Sequence, residues 1–304
     1  MLTLASITPT DSGLADANGI QLYYETFGDP KDPALLLVMG FTAQLTGWSE
    51  EFCAMLVERG RYVIRFDNRD CGLSTHFDGV RVDLPAVISA WEAGETPPPI
   101  PYSMSDFADD AFGLLTFLGI ECAHIVGASM GGMIVQTMAI EHPERVLTMT
   151  SIMSTTGERD FYKWNAEART AVSAAPPTDR EGAIAHSVAL SKILGSPRHW
   201  DETRAIQRAT TSYDRAFYPQ GAARQSAAIR GSADRAAGLR NLEVPTLVIH
   251  GRADPLILPI GGERTAELVP GANLLLLNDM GHDLPQPLWP MIVDTIISHT
   301  THSC

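Results

Sequence analysis

The sequence predicts an α/β fold: a mostly parallel, doubly wound sheet carrying one inserted helical lid. Three observations lead there. Short apolar runs such as Ala34–Gly40 alternate with longer amphipathic patterns, which is the rhythm of βαβ units. The central runs are apolar at consecutive positions, as suits strands covered by helices on both faces. The rhythm then breaks once, from about Thr155 to Leu242, where helical patterns continue without a convincing strand. The chain has 304 residues, 45% of them hydrophobic, enough to bury a large core.

The elements follow in order. "YYETFG" near Tyr23 reads as an early strand, and "DPKDP" (Asp29–Pro33) as the turn after it. Ala34–Gly40 is a strand. Ser49–Gly60 has a Ser cap, two acids in its first turn, an apolar stripe and a closing Gly, and so reads as a helix. Arg61–Asp67 is the next strand. His76–Pro101 ends in "TPPPIP" and is expected to be a loop with one short helix, about Pro85–Ala93. Met104–Gly119 is an amphipathic helix whose expected cap is Ser105. "AHIVG" is a strand, followed by a helix from Met130 to about Glu141. Arg145–Met153, Val244–Gly251 and Ala272–Asp279 are strands, and a last helix runs from near Leu288 to about His299. Residues 1–154 and 243–304 form the expected core domain. Residues 155–242 form the expected cap, placed over the carboxyl edge of the sheet, where open α/β sheets bind ligands.

A formal net charge of −14 argues against nucleic acid or an anionic membrane as partner. No apolar run approaches the ~18 residues of a membrane span. The first thirteen residues have no cationic stretch followed by an apolar one, so no secretory signal is expected. Cys53, Cys71, Cys122 and Cys304 match no zinc-ligand spacing. Cys53 and Cys122 read as buried thiols. A reducing, cytoplasmic location is the resulting expectation. No metal site, dinucleotide fingerprint or other cofactor site is expected.

"AHIVGASMGGMIVQTMA" (Ala123–Ala139) carries the chemistry. Gly127, Ser129 and Gly131 form G-x-S-x-G between a strand and a helix, the pattern of a nucleophile elbow. Small flanking residues let strand and helix approach, and the tight turn pushes the Ser129 hydroxyl out above the sheet. A serine is a poor nucleophile without a base, and the base needs a group to fix its tautomer. Asp254 in "HGRADPL" and His282 in "NDMGHDLP" both follow predicted strands and complete the order Ser, Asp, His. Asp279 and Asp283 are the alternative acids; Asp254 is preferred because it follows the penultimate strand and precedes Pro255. His124, His142, His186 and His250 have no such context and read as core or surface residues. Two backbone N–H groups are expected to hold an oxyanion, those of Met130 and Phe41.

"NGIQLYYETFGDPKDPALLLVMGF", "RFDNRDCGLST", "GASMGGMI" and "GMGHDLP" together resemble the α/β-hydrolase superfamily. The resemblance is to the serine esterase branch containing aclacinomycin methylesterase and mycobacterial lipase/esterase-like proteins. It covers roughly residues 16–300, less clearly in the lid. It implies an enzyme with a Ser-His-Asp triad acting on carboxylic esters. Two departures stand out. Met39-Gly40 replaces a common His-Gly before the oxyanion loop, and Asp70 stands where Gly is usual in D-x-R-G-x-G-x-S. Asp67, Arg69 and Ser74 read as loop anchors.

Trp48, Met153, Phe161, Trp164, Tyr213 and Phe217 are candidate walls of an apolar cleft. Small to medium apolar esters are the expected substrates. A perhydrolase, a lactonase or a C–C hydrolase with the same triad is an alternative, as is a binding protein that has kept the fold. Oligomeric state is not specified by these residues.

Overall fold

The computed structural model describes residues 7–301. Asp11–Ala17 (β1) and Ile20–Phe27 (β2) form a hairpin. Ala34–Val38 (β3), Glu50–Val57 (α1), Tyr62–Phe66 (β4), Leu84–Ala93 (α2) and Met104–Phe117 (α3) follow. Ala123–Ala128 (β5), Met130–Glu141 (α4) and Val146–Ile152 (β6) complete the first part of the sheet. Between β6 and the next strand lie Ala166–Ser173 (α5), Arg180–Leu194 (α6), Glu202–Arg215 (α7), Gly221–Gly231 (α8) and Ala236–Arg240 (α9), with no strand among them. Thr246–Gly251 (β7), Ile260–Leu268 (α10), Asn273–Leu277 (β8) and Trp289–His299 (α11) close the chain.

The eight strands lie in the order β1-β2-β4-β3-β5-β6-β7-β8. The first three pair antiparallel, and every pair from β4 onward is parallel. Side chains alternate between two cores. Leu36, Val38, Ile64 and Ile125 pack with α3 and α4. Leu35, Leu37, Val63 and Val126 face the opposite core with Phe52 of α1 and Ile292, Val293 and Ile296 of α11. The chain runs outward from β3 to β4, then returns to β5 on the other side of β3. That reversal puts the loops after β3 and β5 side by side, at the crevice where doubly wound sheets bind ligands. Val38 at the end of β3 pairs with Gly127 at the end of β5.

Three expectations are corrected. β1 was not foreseen, because "DSGLADA" buries only Ala15 and Ala17 and its small residues hide the alternation. The readable signal was Asn18-Gly19, a two-residue turn with φ of 49° and 76°. The cap of α3 is Ser103, whose backbone N–H donates to the Asp106 carboxylate at 2.8 Å. Ser105 lies inside the first turn and donates to Glu141 at 2.6 Å. Cys122, expected as a buried thiol, precedes β5, is partly exposed and is disulfide-bonded. Cys53 and Cys71 are free and buried. Cys304 and the start of the N-terminal segment read for a signal lie outside the described residues.

Candidate active site

Ser129 follows β5 and caps α4, with φ 57° and ψ −120°. This is a strained conformation for a residue with a side chain. It persists because its surroundings are rigid. The Ser129 N–H donates to Ile152 O at 2.9 Å, and its carbonyl accepts from the Ser154 hydroxyl at 2.8 Å. A side chain at Gly127 would collide with the Gly131 carbonyl, and one at Gly131 with the Val38 carbonyl. Strand and helix therefore cross here only because both residues are glycine.

Three sequence-distant side chains meet at this turn. His282 Nε2 lies 2.9 Å from Ser129 Oγ, and His282 Nδ1 lies 2.8 Å from Asp254 Oδ2. The other Asp254 oxygen accepts two backbone N–H groups, Leu256 and Ile257, each at 2.9 Å. Burial acts to raise the Asp254 carboxyl. The charge of His282 and hydrogen bonds from His250 and His282 outweigh it, and hold the group at about 2. An ionised Asp254 can only accept, so His282 Nδ1 carries the proton and Nε2 is left to accept from the Ser129 hydroxyl.

The alternative acids are engaged elsewhere. Asp279 pairs with Arg198 at 3.2 Å near the surface. Asp283 accepts from the Ser196 hydroxyl and, at 3.0 Å, from its backbone N–H. His250, read from sequence as an ordinary core histidine, touches the candidate acid. Its Nε2 lies 2.8 Å from Ile257 O and 3.5 Å from Asp254 Oδ2. Both neighbours are acceptors, so Nε2 carries the hydrogen. Its spacing of four residues from Asp254 was the only sequence signal.

The loop after β3 lies against the serine. A Cβ on Gly40 would sit 2.9 Å from Ser129 Cβ. Met130 N–H opens α4 and has no helical carbonyl to receive it. No hydrogen bond within the protein engages the Phe41 N–H among the described residues. Among the described residues neither donor has a hydrogen-bond partner, and that of Met130 lies at the positive end of a helix.

The candidate cleft residues are scattered. Trp48 is fully buried, 5.6 Å from Phe52, whose ring packs edge-on against Trp289. Met153 is buried at the end of β6 with φ 42°. Phe161 is covered by Arg264, its guanidinium 4.5 Å from the ring centroid. Trp164 packs edge-on to Tyr162 at 5.2 Å and is flanked by Arg169 and Arg230. Tyr213 and Phe217 pair at 4.6 Å on the α7–α8 side of the insertion.

Among the described residues no group of three or more His, Cys, Asp or Glu side chains is arranged to hold a metal ion, and no helix is long and apolar enough to cross a membrane.

A family model described as alpha/beta hydrolase fold matches residues 33–285. The rhodomycin D methylesterase DauP of Streptomyces sp. (strain C5) is 26% identical, over 92% of this chain and 95% of that protein. The rhodomycin D methylesterase DnrP of Streptomyces peucetius is 27% identical over the same shares. Among solved structures, the enol-lactonase of Burkholderia xenovorans LB400 superposes with a TM-score of 0.73. It is 22% identical, covering 95% of this chain and all of that one, which speaks for the fold alone.

Proposed function

The chain belongs to the alpha/beta hydrolase fold family, and from that premise we propose that it is a serine esterase cleaving carboxylic esters through an acyl-enzyme. The observation that carries this reading is the unbroken relay from Ser129 through His282 to Asp254, with separations of 2.9 and 2.8 Å, at a strained strand–helix turn.

Each step is assigned to one of these groups. Ser129 Oγ attacks the ester carbonyl carbon while His282 Nε2 takes its proton. The carbonyl oxygen becomes an oxyanion between the N–H groups of Phe41 and Met130. Asp254 keeps His282 in the required tautomer and balances the imidazolium as it forms. The C–O bond to the alcohol then breaks, and His282 returns the proton to the leaving alkoxide. Water, deprotonated by the same His282, attacks the acyl-enzyme and releases the free acid.

Methylesterase relatives favour a substrate with a small alcohol portion, so that methyl esters of apolar acids are the preferred class. Residues 155–242 are read as the cap that covers the acyl portion. The test is hydrolysis of p-nitrophenyl esters of graded chain length, with Ser129→Ala beside the native protein. Loss of turnover by about 10⁴-fold or more is expected in the variant, as for other serine triads. A variant within tenfold of the native rate would sink the acyl-enzyme reading.

A further inference from the structure

The segment between β6 and β7 does more than lie over the sheet. It donates or accepts hydrogen bonds at each of the three loops that carry the proposed machinery. At the acid loop, Leu258 N–H donates to Lys163 O and Asn165 N–H to Pro255 O, both at 2.9 Å. At the histidine loop, His282 N–H donates to Leu194 O at 2.7 Å. Leu194 is the last residue of α6, so its carbonyl has no helical donor and is free for this use. The next turn supplies Ser196, which is fully buried. Its hydroxyl accepts from Gly281 N–H at 2.9 Å and donates to the Asp283 carboxylate.

At the oxyanion loop the contact comes from α8. Gln225 is fully buried. Its Oε1 accepts from Thr42 N–H at 2.8 Å, and its Nε2 donates to Arg69 O at 2.8 Å. Thr42 has φ 55°, a left-handed conformation that a threonine holds only when its neighbours enforce it. Fixing the Thr42 peptide fixes the adjoining one, which carries the Phe41 N–H. Two residues on, Gln44 Nε2 donates to Ser212 O and Ala216 O, each at 2.7 Å, at the end of α7. A buried N–H without a partner is costly, so these loops settle where the insertion offers acceptors.

We propose that Ser196 and Gln225 are positioning residues through which the helical insertion sets the geometry of the reaction, Ser196 by holding the His282 loop and Gln225 by holding the Phe41–Thr42 backbone. The proposal rests on the serine esterase reading above. Neither side chain touches the substrate; each acts through the group it holds. Loss of either leaves the binding cleft in place and loosens the base or the oxyanion donor, which the transition state feels and the ground state does not.

The experiment compares native protein, Ser129→Ala, Ser196→Ala, Asp283→Ala and Gln225→Met on p-nitrophenyl butyrate, with thermal midpoints measured on each. Asp283→Ala releases Ser196 from the core side at a partly exposed position, and serves if Ser196→Ala does not fold. For folded variants kcat is expected to fall roughly 10- to 100-fold with KM within about twofold, the pattern of an interaction made only in the transition state. Inhibition by an alkyl trifluoromethyl ketone, which forms an oxyanion adduct on the serine, should weaken in Gln225→Met by a factor similar to the loss in kcat/KM. Native kcat and native inhibition in the folded variants would overturn the proposal, as would a raised KM with kcat unchanged. Ser129→Ala separates the two readings. If it is inert while the other variants are native-like, only the brace fails. If it remains active, the esterase mechanism itself fails.

Discussion

Asp254 must stay charged in a place where burial alone would neutralise it. The residue is 2% exposed, yet its carboxyl is held at about 2, against an ordinary 3.8, because the charge of His282 and the hydrogen bonds from His250 and His282 outweigh burial. The consequence for stability follows from the sign. A carboxyl whose folded value is depressed stabilises the native state above its unfolded value, and that contribution is lost as pH falls from about 4 to about 2. Asp254→Asn removes this titration. The slope of unfolding free energy against pH in that window should therefore drop by at most one proton, roughly 1.4 kcal/mol per pH unit. Denaturant unfolding of both proteins at several acidic pH values measures it, and equal slopes would show that Asp254 titrates alike in both states. At this scale the sequence was partly legible. Strand-end positions pointed to Ser129, Asp254 and His282 as a set, whereas the engagement of Asp279 with Arg198 and of Asp283 with Ser196 is visible only in the folded chain. His250 carried only its spacing of four residues from Asp254 as a mark of that contact.

At the scale of elements, the loop after β4 explains the departure at Asp70. The backbone there has φ 60°, the conformation for which glycine is the usual choice. Asp70 is kept in it by partners: Arg224 of α8 with two contacts of 2.7 Å, the Tyr102 hydroxyl at 2.6 Å and Phe77 N–H at 2.8 Å. Asp67 and Arg69 act as anchors in the same loop. Asp67 receives Leu45 N–H at 2.7 Å and Leu73 N–H at 2.9 Å, and Arg69 makes two contacts of 2.7 Å with Asp110. Asp70→Gly should relieve about 1 kcal/mol of backbone strain. It also strands a largely buried guanidinium, a change that costs about 3–5 kcal/mol. Net destabilisation of about 2–4 kcal/mol is expected by urea unfolding, and a variant as stable as the native protein would show that losing the pair costs no more than the strain it relieves. The helices and central strands of this region were readable from their periodicity. The hairpin strand β1 and the true cap of α3 were not, because small residues mask alternation and two serines two positions apart both look like caps.

For the whole molecule, charge and topology act over longer distances. A net charge of −14 repels itself, and salt screens that repulsion. Raising NaCl from about 10 mM to about 200 mM should raise the thermal midpoint by a few degrees; a fall over that range would mean that attractive ion pairs outweigh the excess charge. Such pairs are numerous between the insertion and the core, as with Arg215 and Asp67 at 2.7 Å. By itself the sequence determined the alternation of strands and helices, the long insertion and the strand–Ser129–helix turn, because periodicity and steric crowding are properties of neighbouring residues. Only the tertiary structure decided which acid reaches His282, that Ser196 and Gln225 grip the loops beside it, and that Cys122 is disulfide-bonded. Those contacts join residues tens to hundreds of positions apart, and the sheet order that brings them together leaves no mark on the local pattern at either end.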